Sequence, residues 1–420
     1  MNTGTQIGLA WRNLWRHGRR SAITIVSVAF GFAAVALFSG YTSAVYIALS
    51  SAAIHGELIG HLTVNLNGWE TDGKLNPAKY LLTSDQIGRI RGLVNQLMPG
   101  ASVIPKLSAT GLLSNGHNST IFVASGVAPS ELDLLRGPYR NAPGALHENM
   151  PTGVTVGQGL ADVLGLKIGD AASILATTIH GQTNAADVDI ADMVNTGNAA
   201  TNDKWILMPI RLVQELLDAP DRAESLTVLL PPGITGDEAP TEAQSNGWRD
   251  QLMAKTKAAG LDLQVRTWQD MSVFFRQVKN MYDIIFALIF VVVMVIVVLS
   301  IANAMSIAVV ERTREIGTLR ALGLRRAGLV SLFVTEGLLL VLIGTVVGLA
   351  LAGVIRWGVN AADVRYVPPG NTTAVPIYIG FDCVSTVVAA GFLMLLGIVA
   401  ALVPAYHAAR RPIVDALGHV

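Results

Sequence analysis

Charged residues are almost absent from four long stretches of the chain. The stretches cover residues 21–54, 284–310, 327–355 and 383–409, and Glu336 is the single Asp, Glu, Lys or Arg within them. A helix needs about 20 apolar residues to cross the hydrocarbon core of a bilayer, and each stretch exceeds that length. The pattern therefore predicts four transmembrane helices. The first stretch is longer than the apolar region of a signal peptide, about 7 to 15 residues, which favours a retained anchor.

Arginines mark one end of every predicted span. They precede the first span, fill the segment between the second and third, and follow the fourth; they are Arg12, Arg16, Arg19, Arg20, Arg312, Arg314, Arg320, Arg325, Arg326, Arg410 and Arg411. Lys and Arg close to span ends are enriched on the cytoplasmic side. The pattern predicts a multi-pass protein of the bacterial inner membrane, with both termini in the cytoplasm and the large segment after the first span in the periplasm.

The segment between the first two spans has a mixed α/β pattern. Residues 61–68 alternate in polarity like a strand, Ser84 is placed to cap an amphipathic helix that stops at Pro99, and the Pro- and Gly-rich residues 231–245 predict a flexible loop. Residues 268–283 have helical spacing, so they predict a stalk helix that continues into the second span. A kink at Asn280 is the alternative.

The predicted fold is an α-helical membrane protein with four transmembrane helices and a large mixed α/β periplasmic domain inserted between helices 1 and 2. Its segments are a cytoplasmic amphipathic helix (1–20), transmembrane helix 1 (21–54), the periplasmic domain (55–267), the stalk (268–283), transmembrane helix 2 (284–310), a cytoplasmic loop helix (311–326), transmembrane helix 3 (327–355), a short periplasmic loop (356–382), transmembrane helix 4 (383–409) and a cytoplasmic tail (410–420).

Composition agrees with a membrane protein and narrows the chemistry. Only 14% of the residues are charged while 51% are hydrophobic, whereas soluble domains are about 25% charged. The formal net charge is zero, so nothing indicates a nucleic-acid partner. The single cysteine, Cys383, allows no internal disulfide.

Sequence motifs of common catalytic sites are absent. The chain has no G-x-x-x-x-G-K-[ST] phosphate loop, no G-x-S-x-G nucleophile elbow and no H-E-x-x-H metal motif. We therefore expect no catalytic residues, no metal site and no cofactor bound by this chain. An intramembrane or periplasmic enzyme is the least supported class of function.

The predicted cytoplasmic loop carries the most specific pattern. Residues 311–326 read E-R-T-R-E-I-G-T-L-R-A-L-G-L-R-R, and charged positions alternate with Ile316, Leu319 and Leu322 on one helical stripe. Gly317 and Gly323 permit close approach or a turn. Spacing alone leaves two interpretations open: a helix at the membrane surface that directs its arginines to lipid phosphates, or a helix that docks a partner protein.

This loop resembles the E-R-x-R-E-I-G-x-L-R-A-L-G signature of ABC transporter permeases of the FtsX and MacB superfamily. The order of the elements is similar as well. Further similar segments are the amphipathic stretch 9–16, the G-x-x-L-A-x-x-L-G-L-x-x-G-D-like turn at 156–170, the segment 196–217, which resembles lipoprotein-releasing subunits of the LolC and LolE type, and the P-A-x-x-A-x-x-x-P-like tail at 404–412.

The resemblance implies a permease without its own ATPase. A second permease copy or a paralogue completes a dimer, and two ABC ATPase subunits hold ATP and magnesium. Because this sequence starts at the amphipathic helix, the ATPase is expected from a separate gene. The family is thought to work by mechanotransmission, in which the ATPases push the loop and the stalk conveys the motion. The residues implied in coupling are Glu311, Arg312, Arg314, Glu315, Ile316, Gly317, Leu319, Arg320, Leu322 and Gly323.

The resemblance leaves the substrate open. A lipoprotein-releasing subunit would admit a lipoprotein or another lipid-like molecule between the first two helices, and its candidate contacts are Phe38, Tyr41, Val45 and Phe286. A MacB-type exporter would pass substrate to an outer-membrane channel with a periplasmic adaptor or carrier. An FtsX-like protein would instead regulate a periplasmic cell-wall hydrolase.

Polar and small residues inside the spans predict helix contacts. Glu336 is too costly to face lipid, so we expect it to face protein in a structural role, with Asn303 as its candidate partner; a proton or substrate site is the alternative. Small residues recur every four positions in two spans and permit close helix approach, within one subunit or at a dimer seam. They are Gly344, Gly348, Ala352, Ser300 and Ala304.

Overall fold

The computed structural model describes residues 3–16, 18–73, 75–137, 146, 149–235, 240–368 and 371–410. The chain divides into two compact units. A helical unit comprises Met1–Val45, Lys279–Val364 and Pro376–Val420, and a large domain comprises Tyr46–Val278 and Arg365–Val375. The predicted tail after Arg410, including Arg411, lies outside the described residues.

The described residues form fifteen α-helices and eleven strands. The helices are α1 Thr3–Arg16, α2 Gly18–Ser51, α3 Pro77–Tyr80, α4 Ser84–Leu97, α5 Pro129–Arg136, α6 Gln158–Leu164, α7 Ala199–Asn202, α8 Ile210–Leu216, α9 Pro232–Thr235, α10 Glu242–Ala258, α11 Trp268–Met271, α12 Val273–Glu311, α13 Thr313–Ala321, α14 Arg326–Ala361 and α15 Cys383–Arg410. The strands are β1 Leu62–Leu66, β2 Ser102–Ser114, β3 Ser119–Val127, β4 Gly153–Gly157, β5 Ala171–Thr177, β6 Thr183–Val194, β7 Trp205–Pro209, β8 Ser225–Leu229, β9 Leu263–Thr267, β10 Arg365–Tyr366 and β11 Val375–Pro376.

Four of the described helices are long and apolar enough to cross a membrane, namely α2 with the π-helical turn that follows it, α12, α14 and α15. Their positions match the four uncharged stretches, but their ends extend further. Helix α14 continues to Ala361, six residues into the segment predicted as a loop. Charged residues such as Arg356 are compatible with a helical backbone. The backbone hydrogen bonds of these helices therefore continue beyond the last apolar residue.

The stalk begins later than the sequence pattern indicates. Thr267 caps the short helix α11 by accepting a hydrogen bond from the backbone N–H of Asp270, and the backbone of Ser272 is extended. A separate helix, α12, then runs without interruption from Val273 to Glu311. The junction therefore lies at Ser272, and Asn280 is inside a continuous helix.

The large domain contains a ring of six strands that closes on itself. The order is β3-β7-β4-β6-β5-β2, and β2 pairs again with β3. Neighbours are antiparallel except for the parallel pairs β3–β7 and β4–β6. Gly111 lies where β2 meets both β3 and β5, and a Cβ there would collide with the carbonyl oxygen of Leu175. Glycine thus permits the ring to close.

A second sheet grows from the other end of the long strand β2. Residues 102–106 of β2 pair with β8, and the sheet continues through β1 to β9. Its apolar side is covered by α4 and α10, with Ile90 and Leu252 fully buried. The described part of the large domain therefore has three cores: one inside the ring, one between this sheet and its helices, and one that includes Ile54, Leu132 and Trp268.

Two local predictions in the large domain need correction. The cap of α4 is Thr83, not Ser84, because Thr83 and Gln86 exchange side-chain and backbone hydrogen bonds in a capping box. The loop predicted at 231–245 contains the helix α9 and the start of α10, which Thr241 caps in the same way with Gln244. In this segment, the Thr-x-x-Gln capping pattern is therefore a better predictor of structure than the Pro and Gly content.

The buried ring of His61 should make the stability of the large domain depend on pH. Its Nδ1 accepts a hydrogen bond from the backbone N–H of Leu230 at 3.1 Å, which requires an unprotonated Nδ1. Burial, aided by the charge of His55, lowers the pKa of His61 from 6.5 to about 4. The unfolded chain binds a proton on His61 more tightly than the folded chain does. The stability that the neutral, buried His61 contributes is therefore complete above pH 6.5 and is lost as the pH falls to about 4.

Thermal unfolding of the full chain in detergent at pH 7.5 and at pH 4.5 measures this effect. A pKa difference of this size corresponds to about 3 kcal/mol. His61→Asn keeps an acceptor for the N–H of Leu230 but does not titrate, so it should show a smaller loss of stability at low pH. Burial also raises the pKa of Glu224, which makes stability change with pH in the opposite direction. Comparing the variant with the wild type isolates the contribution of His61, because Glu224 is present in both. Identical pH profiles for the two proteins would contradict the prediction.

Candidate functional site

The loop between α12 and α14 folds as a short helix set off by two breaks. Arg312 is non-helical, and the hydroxyl of Thr313 donates to the carbonyls of Val309 and Val310 at 3.0 and 2.9 Å. Helix α13 follows and ends in a turn in which Gly323 has a φ of +92°. The single helix predicted over 311–326 is therefore divided, because a positive φ at Gly323 ends it and lets the chain reverse into α14.

A buried ion pair fixes the start of this loop to the neighbouring transmembrane helix. The guanidinium Nη1 of Arg312 lies 3.2 and 3.3 Å from the two carboxylate oxygens of Glu336, and the side chains are 6% and 5% exposed. Glu336 thus faces protein, as its cost in lipid requires. Its partner is Arg312 and not Asn303, which is exposed. A charged partner offsets burial of a carboxylate where an amide would leave its charge uncompensated.

The two glutamates of the loop pair with arginines near the N-terminus. Arg20 Nη1 lies 2.5 Å from Glu311, and Arg16 Nη2 lies 3.4 Å from Glu315. Glu315 is also 3.5 Å from Arg312. Three arginines and three glutamates from α1, α2, the end of α12, α13, α14 and the residue between α12 and α13 thus form a group of ion pairs, which we call the loop network: Arg16, Arg20, Glu311, Arg312, Glu315 and Glu336.

Helix α1 is held against the helical unit by a few specific contacts. Its residues Ala10 and Leu14 are buried, and the hydroxyl of Ser331 on α14 donates to the side-chain oxygen of Gln6 at 3.1 Å. The hydroxyl of Ser21 donates to the carbonyl of Leu14 at 3.1 Å and ties the end of α1 to the start of α2. The N-terminal helix is therefore part of the site, a role that its sequence signalled only through its arginines.

The opposite face of α13 is open. Leu322 is 81% exposed and Leu319 is 40% exposed, and Arg314 and Gly323 are exposed beside them. Of the predicted apolar stripe, only Ile316 is buried. Of the remaining residues of the set, Gly317 is buried, Arg320 is half-buried, and Glu311 and Glu315 are exposed but paired with arginines. The predicted coupling residues therefore divide into a group that anchors the loop through burial or ion pairs and an outward group, which we call the open face: Arg314, Leu319, Leu322 and Gly323.

The candidate substrate contacts form part of an aromatic cluster between α2 and α12. The rings of Phe38 and Phe286 stack with centroids 5.9 Å apart, and the hydroxyls of Tyr41 and Tyr282 lie 3.3 Å apart. Val45 is half-buried further along α2. The cluster also includes Tyr282 and Phe290, which the sequence did not single out because their spacing relative to α2 is visible only in three dimensions.

Small residues of α14 bring it close to α2. A Cβ at Gly344 would lie 2.6 Å from the side chain of Val28, and one at Gly348 would lie 2.6 Å from the carbonyl oxygen of Ala29. Ala352 is buried on the same stripe. On α12, Ala304 is buried and Ser300 is half-buried. The α14 stripe therefore packs within this chain.

Within the described residues, no group of three or more His, Cys, Asp or Glu side chains is arranged to hold a metal ion. The described geometry of the helical unit consists of charge pairs and close helix packing. Its distinguishing feature is a short helix fixed on one side and open on the other.

Comparison with known proteins assigns the chain to a family. The MacB-like periplasmic core domain family matches residues 21–245, more than half of the chain, and the FtsX-like permease C-terminal family matches residues 287–413. The crystal structure of the periplasmic region of MacB from Actinobacillus actinomycetemcomitans is similar at 12% identity with a TM-score of 0.34, covering 52% of this chain and 95% of that chain.

Three relatives illustrate the similarity at the level of sequence. The macrolide export ATP-binding/permease protein MacB of Nitrobacter winogradskyi is 40% identical over 28% of this chain and 17% of its own length. The lipoprotein-releasing system transmembrane protein LolC of Haemophilus influenzae is 32% identical over 32% of each chain. MacB of Escherichia coli is 26% identical over 97% of this chain and 59% of its own length.

The chain therefore matches less than two thirds of the length of each of these relatives. The two domain matches are nonetheless sufficient to assign the family. The MacB-like periplasmic core and the FtsX-like permease C-terminal region follow one another along the chain, in the order that the apolar stretches and the loop signature indicate. The chain belongs to the FtsX/MacB superfamily of ABC transporter permeases.

Proposed function

We propose that this chain is the permease subunit of an ATP-driven transporter and that the open face of α13 receives the force of a partner ABC ATPase. The observation that carries the proposal is the contrast between the two sides of this helix. One side is tied to the helical unit through the buried Arg312–Glu336 pair, while Leu322 on the other side is 81% exposed. An exposed leucine beside arginines suits a protein partner, because a docked surface buries it.

The proposed orientation follows the arginines. The loop network and both termini lie in the cytoplasm, and the large domain lies in the periplasm of a bacterial inner-membrane protein. This places the open face where a cytoplasmic ATPase reaches it. Two ATPase subunits, which carry the ATP and magnesium, and two permease copies or a permease with a paralogue complete the assembly.

The proposed mechanism is mechanical. A push on α13 is transmitted to α14 by the adjacent Arg312–Glu336 pair and to α1 by the Arg16–Glu315 pair, while the Arg20–Glu311 pair joins the end of α12 to α2. Helix α12 ends at Glu311, next to α13, and its other end lies at Val273 in the large domain. Because this helix has no break, its displacement at one end appears at the other.

The proposed cargo is a lipoprotein or another lipid-like molecule at the cell envelope. The aromatic cluster of Phe38, Tyr41 and Phe286 between α2 and α12 supports it, because acyl chains pack well against aromatic rings in a membrane. A MacB-type exporter with a periplasmic adaptor is the second candidate. It is favoured by the similarity to Escherichia coli MacB over 97% of this chain.

The partner interface is tested by charging the open face. We expect the double variant Leu319→Asp, Leu322→Asp to lose co-purification of the ABC ATPase from native membranes together with the Mg-ATP hydrolysis of the complex. A central apolar contact contributes about 2 kcal/mol or more, which corresponds to about 30-fold weaker association. Leu319→Met, Leu322→Met keeps the apolar surface and should bind normally. Normal ATPase recovery with the aspartate variant would refute the proposed interface.

A further inference from the structure

Helix α1 presents an aromatic and basic face that its packing leaves open. Trp15 is 73% exposed and Trp11 is 48% exposed, and their ring centroids lie 6.4 Å apart. Ile7, one turn before Trp11, is 49% exposed on the same stripe. The buried residues Ala10 and Leu14 lie on the side that packs against the helical unit. The three exposed side chains therefore form a continuous apolar stripe on the outer side of an amphipathic helix.

Two arginines beside this stripe take no part in the loop network. Arg12 and Arg19 are exposed, and within the described residues neither guanidinium pairs with a carboxylate. The nearby glutamates form ion pairs with other arginines: Glu311 pairs with Arg20, and Glu315 pairs with Arg16. Within the part of the chain that the structure describes, Arg12 and Arg19 therefore carry positive charges without a carboxylate partner, at positions close in sequence to the exposed Trp11 and Trp15.

We propose that the outer face of α1 and the first turn of α2 bind the headgroup of an anionic phospholipid, with Trp11 and Trp15 in the interfacial layer and Arg12 and Arg19 on the phosphate. Helix α2 is the first membrane-spanning segment and begins at Gly18, two residues after α1 ends. The face is thus held at the depth where headgroups lie. Tryptophan favours this layer because its ring is apolar and its N–H remains hydrated.

Charge decides which lipid binds. Each arginine near an anionic surface adds about 1 kcal/mol to the binding free energy. A zwitterionic headgroup has no net charge, so it does not provide this gain. Arg16 and Arg20 already pair with Glu315 and Glu311 of this chain. We therefore expect Arg12 and Arg19 to determine the preference for an anionic lipid. The bound lipid would hold α1 in place from outside while the loop network holds it from inside.

Energy transfer from tryptophan to dansyl-labelled lipid tests this proposal in the full chain, purified in a non-ionic detergent. We expect saturable transfer with dansyl-phosphatidylglycerol at a lower half-saturation than with dansyl-phosphatidylcholine. Arg12→Gln and Arg19→Gln should each raise the half-saturation for the anionic lipid about 5-fold. Both side chains are exposed, so thermal unfolding should be unchanged. Trp11→Phe, Trp15→Phe should remove most of the transfer.

Arg326→Gln is the matched control, because Arg326 is an exposed arginine at the same end of the membrane-spanning helices. It should leave the half-saturation unchanged. The proposal is overturned if the two lipids bind equally, or if Arg326→Gln weakens binding as much as Arg12→Gln does. It is also overturned if Arg12→Gln, Arg19→Gln loses the ABC ATPase while lipid binding stays intact, since the face would then dock the ATPase.

Discussion

Arg312→Ala is expected to destabilise the protein by about 3 to 5 kcal/mol, because it leaves a buried carboxylate without a partner. Glu336 is 5% exposed on its side chain, and both of its oxygens lie within 3.3 Å of Arg312. The loss should appear as a lower thermal unfolding temperature of the full chain in detergent and as less protein retained in the membrane.

A double variant separates the charge from the packing. Arg312→Met, Glu336→Leu removes both charges and keeps apolar volume, so it should recover most of the stability that Arg312→Ala loses. If its coupling to ATP hydrolysis is still impaired, the pair serves in transmission as well as in folding. An Arg312→Ala protein that unfolds at the wild-type temperature would show that Glu336 is not charged and buried as described.

Met281→Pro is expected to abolish ATP-driven movement of the large domain while leaving ATPase association intact. Met281 lies inside α12 and is 50% exposed, so the substitution acts on the backbone and not on a packed side chain. A proline inside a helix removes a hydrogen bond and kinks it at a cost of about 3 kcal/mol. A kinked helix bends where a straight one would transmit a displacement.

Distance measurements between the two permease copies of the proposed assembly check this prediction. A spin label replaces the exposed Val163 in a background in which the single cysteine, Cys383, is changed to serine. The label separation should change between the nucleotide-free and the ATP-trapped state in the wild type and in the control Met281→Ala. An equal change in Met281→Pro would mean that α12 does not carry the motion.

The apolar stretches predicted the positions of the four long helices, and the loop signature marked the segment that contains α13. Charge-free runs identify long helices because few other structures tolerate them. The break at Ser272 escaped prediction because a capping box at Thr267 starts a short helix within a continuous helical pattern. In the large domain, β4 and β8 are buried along their whole length although Thr155, Ser225 and Thr227 are polar, so the alternation in their sequences would have predicted half-exposed strands.

The site itself was only partly predictable. The signature singled out the loop for which we propose the coupling role, but it gave every residue the same implied role. Whether a charged side chain in the loop forms an anchoring ion pair depends on groups that are distant in sequence, as with Arg312 and Glu336 or Arg20 and Glu311. One sequence without its contacts cannot separate the anchoring residues from Leu319 and Leu322, which stay exposed.

Site-specific photo-crosslinking at Leu322 tests the central claim most directly. A benzoylphenylalanine at this position, 81% exposed on the open face, should form an adduct with the ABC ATPase in intact cells. The matched position is Val346, 61% exposed on the transmembrane helix α14, where the same probe should meet lipid and give no such adduct. Failure to crosslink the ATPase from position 322, or equal crosslinking from position 346, would contradict the assignment of α13 as the ATPase-coupling helix.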